Sequence, residues 1–196
     1  MAAEPEGAMK APGITRTRRT FFAPIWVALL SAVILSLLLL VAVRVSLYLF
    51  STSTTVVLVR HAEKAPPESG SDPVLSVEGQ ERALRLARLL GEADVAAVYA
   101  SDTRRAQLTA SPLAARLGVT VTTRAGNDIE GLLDDIGEHH QGERVVVVGH
   151  SNTVPALIEQ LTRGRAEVTV ADDEYDAVYV VTVTRFGPAS VLRLRY

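Results

Sequence analysis

Two short segments carry the residues best suited to chemistry. Arg60-His61-Ala62-Glu63 follows the run Val56-Val57-Leu58-Val59, and Gly149-His150-Ser151-Asn152 follows Val145-Val146-Val147-Val148. A further pair, Arg104-Arg105, follows another strand-like run that ends near Ala100. A neutral imidazole is a nucleophile near pH 7. A guanidinium grips a tetrahedral oxyanion through parallel N–H donors. Two imidazoles and at least two guanidiniums gathered at one edge would form a site for a tetrahedral dianion, a phosphoryl group above all.

Such a gathering depends on the elements that carry these residues. Apolar runs rich in β-branched residues read as strands buried on both faces of a parallel sheet. Ligands of such sheets lie beyond the carboxyl ends of the strands, so both histidines fall on the same edge. Residues 55–60 form the first strand. The loop over 64–73 is marked by Pro66-Pro67, Ser69-Gly70 and Asp72-Pro73. Ser76 caps a helix with Glu78 in its first turn, an apolar stripe of Ala83, Leu86, Ala87 and Leu90, and Gly91 at its end. A strand over 95–100 leads to a helix capped by Ser101 or Asp102 and closed by Gly118. A strand over 119–123 follows, then a shorter helix over 128–140 with Ile129, Leu132, Leu133 and Ile136 inward. The valine strand 145–148, a helix over 153–162 and a hairpin of 177–184 with 191–195 complete the chain. The order β-α-β-α-β-α-β-α-β-β predicts an α/β fold: a three-layer α/β/α sandwich with a mainly parallel sheet and a C-terminal antiparallel hairpin.

Arg60-His61-Ala62-Glu63 at a strand end resembles the signature of the histidine phosphatase superfamily, the phosphoglycerate mutase-like family. The likeness extends to Asp72-Pro73-Val74-Leu75-Ser76-Val77-Glu78-Gly79 as the Leu-Ser/Thr-x-x-Gly helix entry, and to Ser101-Asp102-Thr103-Arg104-Arg105-Ala106-Gln107-Leu108-Thr109-Ala110 as the Ser-x-x-x-Arg-Ala-x-x-Thr-Ala segment. Gly149-His150 matches the second histidine. Four elements in order over residues 55–195 are a far stronger signal than Arg-His-x-Glu alone. The resemblance implies a phosphomonoester hydrolase with no cofactor and no metal. His61 would attack phosphorus in line and form a phosphohistidine that water then hydrolyses. Arg60 and Arg105 would hold the nonbridging oxygens, with His150 as a further donor. Arg105 is favoured over Arg104 because it precedes Ala106 in the pattern. Asn152 and Glu63 are candidate substrate-binding residues, Glu63 having support of its loop as its stronger reading.

The proton donor to the leaving group stays open. Many members place a glutamate after the second arginine; Asp128 and Glu130 occupy that stretch here without a close match. Others use an aspartate directly after the second histidine, where this chain has Ser151. Asp172 and Glu174, before the hairpin, are a third option. Good leaving groups need no such acid.

The same residues admit other readings. A metal site of His61, Glu63 and His150 is opposed by the adjacent arginines, which repel a cation. His139-His140 read as a solvated helix end. A phosphomutase needs a closed pocket, and the domain lacks long insertions to build one; a shallow site suits hydrolysis. From another class, a non-catalytic module could bind a phosphate ligand with the same pocket.

Composition sets the remaining expectations. Residues 21–43 carry no charged side chain over 23 positions, and a bilayer core needs roughly 20 helical residues. Lys10, Arg16, Arg18 and Arg19 precede the run and Arg44 closes it. A signal peptide has a shorter apolar region, of about 7–15 residues, so the run reads as an uncleaved anchor. The expected organisation is a disordered basic tail over 1–20, a transmembrane anchor over 21–50 and a catalytic domain over 51–196. The positive-inside rule places the N-terminus in the cytoplasm and the domain outside, at the cell membrane. Residues 51–196 carry a net charge of −5, which is no nucleic-acid surface. The absence of cysteine excludes a disulfide framework and thiolate chemistry. The expected partners are a phosphorylated small molecule or a lipid phosphate, together with the membrane.

Overall fold

The computed structural model describes residues 25–49, 53–66, 72–185 and 187–196. The expected tail over 1–20 and the start of the apolar run lie outside them. Helix α1 (Ile25–Leu49) is apolar on every side, and over Ile25–Leu47 it is long and apolar enough to cross a membrane. Such a helix has no polar face to turn to water. It forms one unit, to Ser46, and the chain from Leu47 forms a second.

The second unit holds β1 (Ser53–Arg60), α2 (Val77–Leu90), β2 (Val95–Ser101), α3 (Arg104–Leu117), β3 (Val121–Arg124), α4 (Ile129–His139), β4 (Arg144–Gly149), α5 (Thr153–Thr162), β5 (Ala177–Thr184) and β6 (Ser190–Arg195). The sheet runs β3-β2-β4-β1-β5-β6. The first four strands are parallel, β5 lies antiparallel beside β1, and β6 antiparallel beside β5. This is the α/β sandwich with a terminal hairpin that the alternation of patterns predicts.

The valine strands need no polar alternation because helices cover both faces. Val57, Val59, Val146 and Val148 pack in one cluster with Leu86 of α2 and Leu113 of α3. Val56, Leu58, Val145 and Val147 pack in the other with Ile136 of α4 and Leu157 and Ile158 of α5. Each such burial stabilises the fold by about 1.5–3 kcal/mol. The β1–β4 register runs from Val56 opposite Val145 to Arg60 opposite Gly149. His61 and His150 therefore leave the sheet at the same level.

Three details differ from the sequence expectation. Strand β1 begins at Ser53, because Ser53 and Thr54 pair with Thr184 and Val183 of β5. Strand β3 begins at Val121, because the Val119 N–H donates to the Ala114 carbonyl and closes α3 behind Gly118, whose φ is 71°. Neither Ser101 nor Asp102 caps α3. Thr103 holds the N-cap position without a side-chain bond, and the Asp72 carboxylate accepts the Arg104 N–H at 2.9 Å from across the fold. An anion at a helix N-terminus satisfies an orphan donor and meets the positive end of the dipole.

Candidate active site

The first histidine is held in one tautomer. His61 is only 4% exposed. Its Nδ1 lies 2.8 Å from the Ala62 carbonyl oxygen. A carbonyl only accepts, so Nδ1 carries the proton and Nε2 keeps the lone pair. Burial lowers the imidazole pKa to about 4, the positive groups Arg105, His150 and Arg60 push the same way, and the Ala62 carbonyl opposes them. The ring is thus neutral, and nucleophilic, throughout the physiological range. The Ala62 N–H donates to Thr109 Oγ1 at 3.0 Å, and that hydroxyl donates to the Arg105 carbonyl at 2.7 Å, tying the loop to α3. On the other side, a Cβ on Gly79 would lie 2.2 Å from the Glu63 carbonyl oxygen, so only glycine lets α2 approach this loop.

The cations are arranged unequally. Arg60 is 7% exposed. Its Nη1 donates to the Ala171 and Glu174 carbonyls at 2.7 and 3.2 Å, and its guanidinium carbon sits 4.2 Å above the Tyr175 ring centroid. Its Nε is buried without a hydrogen-bond partner. Among the described residues, no carboxylate pairs with this guanidinium. A buried cation without a counter-charge is costly, and an arriving anion removes the cost. Arg105, in the first turn of α3, reaches Asp72 at 3.4 Å.

The second histidine completes the edge. The rings of His61 and His150 meet edge-on, 5.3 Å between centroids. Burial lowers the His150 pKa, helped by Arg105 and opposed by Asp102. Its Nε2 lies 2.8 Å from Ser101 Oγ, which also meets Thr103 Oγ1 at 3.1 Å. A Ser101 hydroxyl donating to Nε2 puts the ring proton on Nδ1, where it can serve a ligand.

Arg60, His61, Arg105 and His150 line one open cavity of about 510 Å³, with Asn152, Asp172 and Lys64 on its wall. The other candidates are placed elsewhere. Glu63 faces Arg82, which holds both its carboxylate oxygens, at 2.5 Å from Nη2 to one and 2.9 Å from Nε to the other. Asp128 caps α4 through the Gly131 N–H at 3.1 Å and lines a separate small hollow. Glu130 sits in the first turn of α4. Glu174 is ion-paired with Arg193 and Arg195 of β6. Asp172 alone of the four carboxylates lines the cavity, its Oδ1 accepting from Ser151 Oγ at 3.4 Å. His140 pairs with Glu143, and His139 lies beside Asp135, both before the amino end of β4 and so at the opposite end of that strand from this edge.

Sequence reasoning missed Asp72, Ser101, Thr109 and Tyr175 as site residues. Ser101 and Thr109 lie inside the quoted ten-residue motif, so their roles had a signal. Asp72 opens the helix-entry segment and Tyr175 follows the candidate Glu174, but nothing in the sequence marks either as touching the site.

Two level imidazoles and two guanidiniums at the carboxyl edge of a mostly parallel sheet define an α/β domain with an oxyanion site. Residues 56–128 match the family model described as histidine phosphatase superfamily (branch 1). The fold is shared with the protein histidine phosphatase SixA complexed with tungstate, at TM-score 0.59 and 18% identity over 72% of this chain and 96% of that one. A mycobacterial glucosyl-3-phosphoglycerate phosphatase with inorganic phosphate superposes at TM-score 0.57 and 17% identity, covering 72% and 96%. A protein described as mycobacterial hydrolase 1 superposes at TM-score 0.58 and 17% identity, covering 74% and 100%. No curated protein matches the chain in sequence. The matched stretch carries Arg60, His61 and Arg105, and the superpositions show that the fold of this domain is shared with those phosphatases.

Proposed function

We propose that this protein is a phosphomonoester hydrolase that works through a phosphohistidine on His61. The observation that carries the reading is the pairing of a neutral imidazole, its Nδ1 proton committed to the Ala62 carbonyl, with a buried Arg60 that has no carboxylate partner among the described residues. The Nε2 lone pair attacks phosphorus and the ester oxygen leaves. Arg60, Arg105 and His150 hold the equatorial oxygens as charge spreads over them, and fixed donors of this kind need no reorganisation in the transition state. Asp172 supplies the proton to a poor leaving group. Water entering the open cavity then cleaves the phosphorus–nitrogen bond and returns His61. The superposed SixA and mycobacterial enzymes, which hold tungstate and phosphate, support an oxyanion at this edge.

The substrate in this reading is a phosphorylated small molecule or a lipid phosphate. The α1 helix anchors the chain in the cell membrane, with the N-terminus cytoplasmic and the domain outside. A reporter active only outside the cytoplasm, fused at the C-terminus, should be active; a well-expressed, inactive fusion reverses the orientation.

The deciding experiment is hydrolysis of an activated aryl phosphate by the full-length protein in detergent, beside His61→Ala. Turnover that disappears with His61 supports the reading. Tight phosphate binding with no turnover replaces it with a binding module of the same fold.

A further inference from the structure

The cavity carries one more cation than the phosphoryl group requires. Resting on the phosphate-site reading above, we propose that Lys64 reads a second anionic group on the substrate. The preferred substrate is then a phosphomonoester whose leaving group carries a carboxylate, a sulfonate or another phosphate.

Lys64 bridges Leu75 in antiparallel fashion, the Ala65 N–H donates to the Val74 carbonyl at 2.8 Å, and the Ser76 N–H donates to the Glu63 carbonyl at 2.9 Å. Three consecutive residues after the nucleophile loop are thus fixed as a short two-stranded ribbon. Neighbouring side chains on such a ribbon point to opposite sides. Glu63 turns to Arg82, and Lys64 turns to the cavity wall.

Charge completes it. Arg60 and Arg105, with His150, already supply the donors for one phosphoryl group. Arg105 is partly neutralised by Asp72. Lys64, by contrast, has no ion pair among the described residues, although it lines the same cavity. The cavity, at about 510 Å³, is of the size that holds a whole small molecule rather than a lone oxyanion. Asp172 on the same wall offers an anion no positive charge, so the second group is expected on the Lys64 side. An ammonium on a flexible stem suits a point charge of variable position, not one fixed geometry.

The test measures binding, so that it is independent of turnover. Phenylphosphonate and its 3-carboxy and 4-carboxy derivatives are titrated into the full-length protein in detergent, beside Lys64→Gln and Lys64→Arg. Aryl phosphate hydrolysis in the same preparations separately judges the hydrolase reading. The wild type should bind at least one carboxylated phosphonate about 3–5-fold more tightly than the parent, as an exposed ion pair allows. That preference should shrink at high salt, vanish in Lys64→Gln and persist in Lys64→Arg. Equal binding of all three ligands by the wild type, or a preference that survives Lys64→Gln, overturns the inference while leaving the phosphate pocket intact. Failure to bind any phosphonate overturns the inference together with the pocket.

Discussion

The two ends of the β1–β4 pair satisfy their charges in opposite ways. At the amino end, Arg144 pairs with Asp94 at 3.3 Å, His140 with Glu143 at 2.7 Å, and the Thr54 hydroxyl accepts the Gly142 N–H at 3.0 Å. Arg144 and Asp94 are largely open to water. At the carboxyl end, Arg60 is buried against carbonyls and a ring, and His61 is buried and neutral. Each charged group at the first end has its counter-ion within the chain. At the second, Arg105 has Asp72, but Arg60 has no carboxylate partner among the described residues, and a ligand can supply one. The strands between are the same valine ladder, so the difference lies in the residues just beyond it. One end closes the fold, and the other keeps an unmet demand for negative charge.

The contrast is sharpest at His61, the nucleophile we propose. His61→Ala should lower aryl phosphate turnover by roughly 10³-fold or more, since it removes the attacking atom itself. Stopped assays with the purified variant measure this, and an active His61→Ala protein breaks the assignment of the two ends. Arg60→Met should cost about 10²–10³-fold in turnover, the scale for a lost transition-state donor. It should change stability by no more than about 1 kcal/mol, because no partner charge is stranded. Thermal melts with and without phosphate should show that the variant has lost the stabilisation by ligand, whereas Arg144→Met keeps it.

Asp172→Asn should separate leaving groups. Alkyl phosphates should slow by roughly 10²-fold and activated aryl phosphates by no more than about threefold, as expected for loss of a general acid. Equal slowing of both removes Asp172 from that role.

Acid should act on the carboxyl end first. The His61 pKa falls from 6.5 in the unfolded chain to about 4 in the folded one. Between those values the unfolded state binds more protons, so stability is complete above 6.5 and is lost as the pH falls towards 4. The loss amounts to roughly 3 kcal/mol at most. His150, also lowered, adds in the same direction. Urea unfolding followed from pH 7 down should show this slope, and His61→Gln should flatten it. The smallest effect belongs to the amino end: Arg144→Met should change stability by less than about 0.5 kcal/mol and leave turnover unaltered.

Much of this was legible in the chain. The valine runs declare themselves as strands because burial on both faces removes any need for polar residues, and Val56–Val59 and Val145–Val148 do so unambiguously. Both histidines follow directly from those strand ends. The pattern before α3 was legible as a helix start but not as to its cap, because Ser101 is drawn to His150 and Asp72 arrives from a loop 32 residues earlier. Likewise, nothing local tells that Tyr175 lies over Arg60, 115 residues apart in sequence. Pairings of that separation are set by the strand order β4-β1-β5, which brings the end of β1 beside the turn before β5. Local periodicity does not encode strand order, and the carboxylates Asp128, Glu130, Asp172 and Glu174 could be sorted only once it was known.

The Tyr175 ring lies against the Arg60 guanidinium and has its centroid 6.0 Å from that of His61. The chain has a single tryptophan, Trp26, in the apolar helix, and its other described tyrosines with assigned surroundings, Tyr99, Tyr179 and Tyr196, belong to the core or to the Arg82 corner. An anion that draws on Arg60 alters the field across one ring more than any other. The near-ultraviolet circular dichroism of the unlabelled protein thus becomes a gauge of site occupancy, with Tyr175 as the dial.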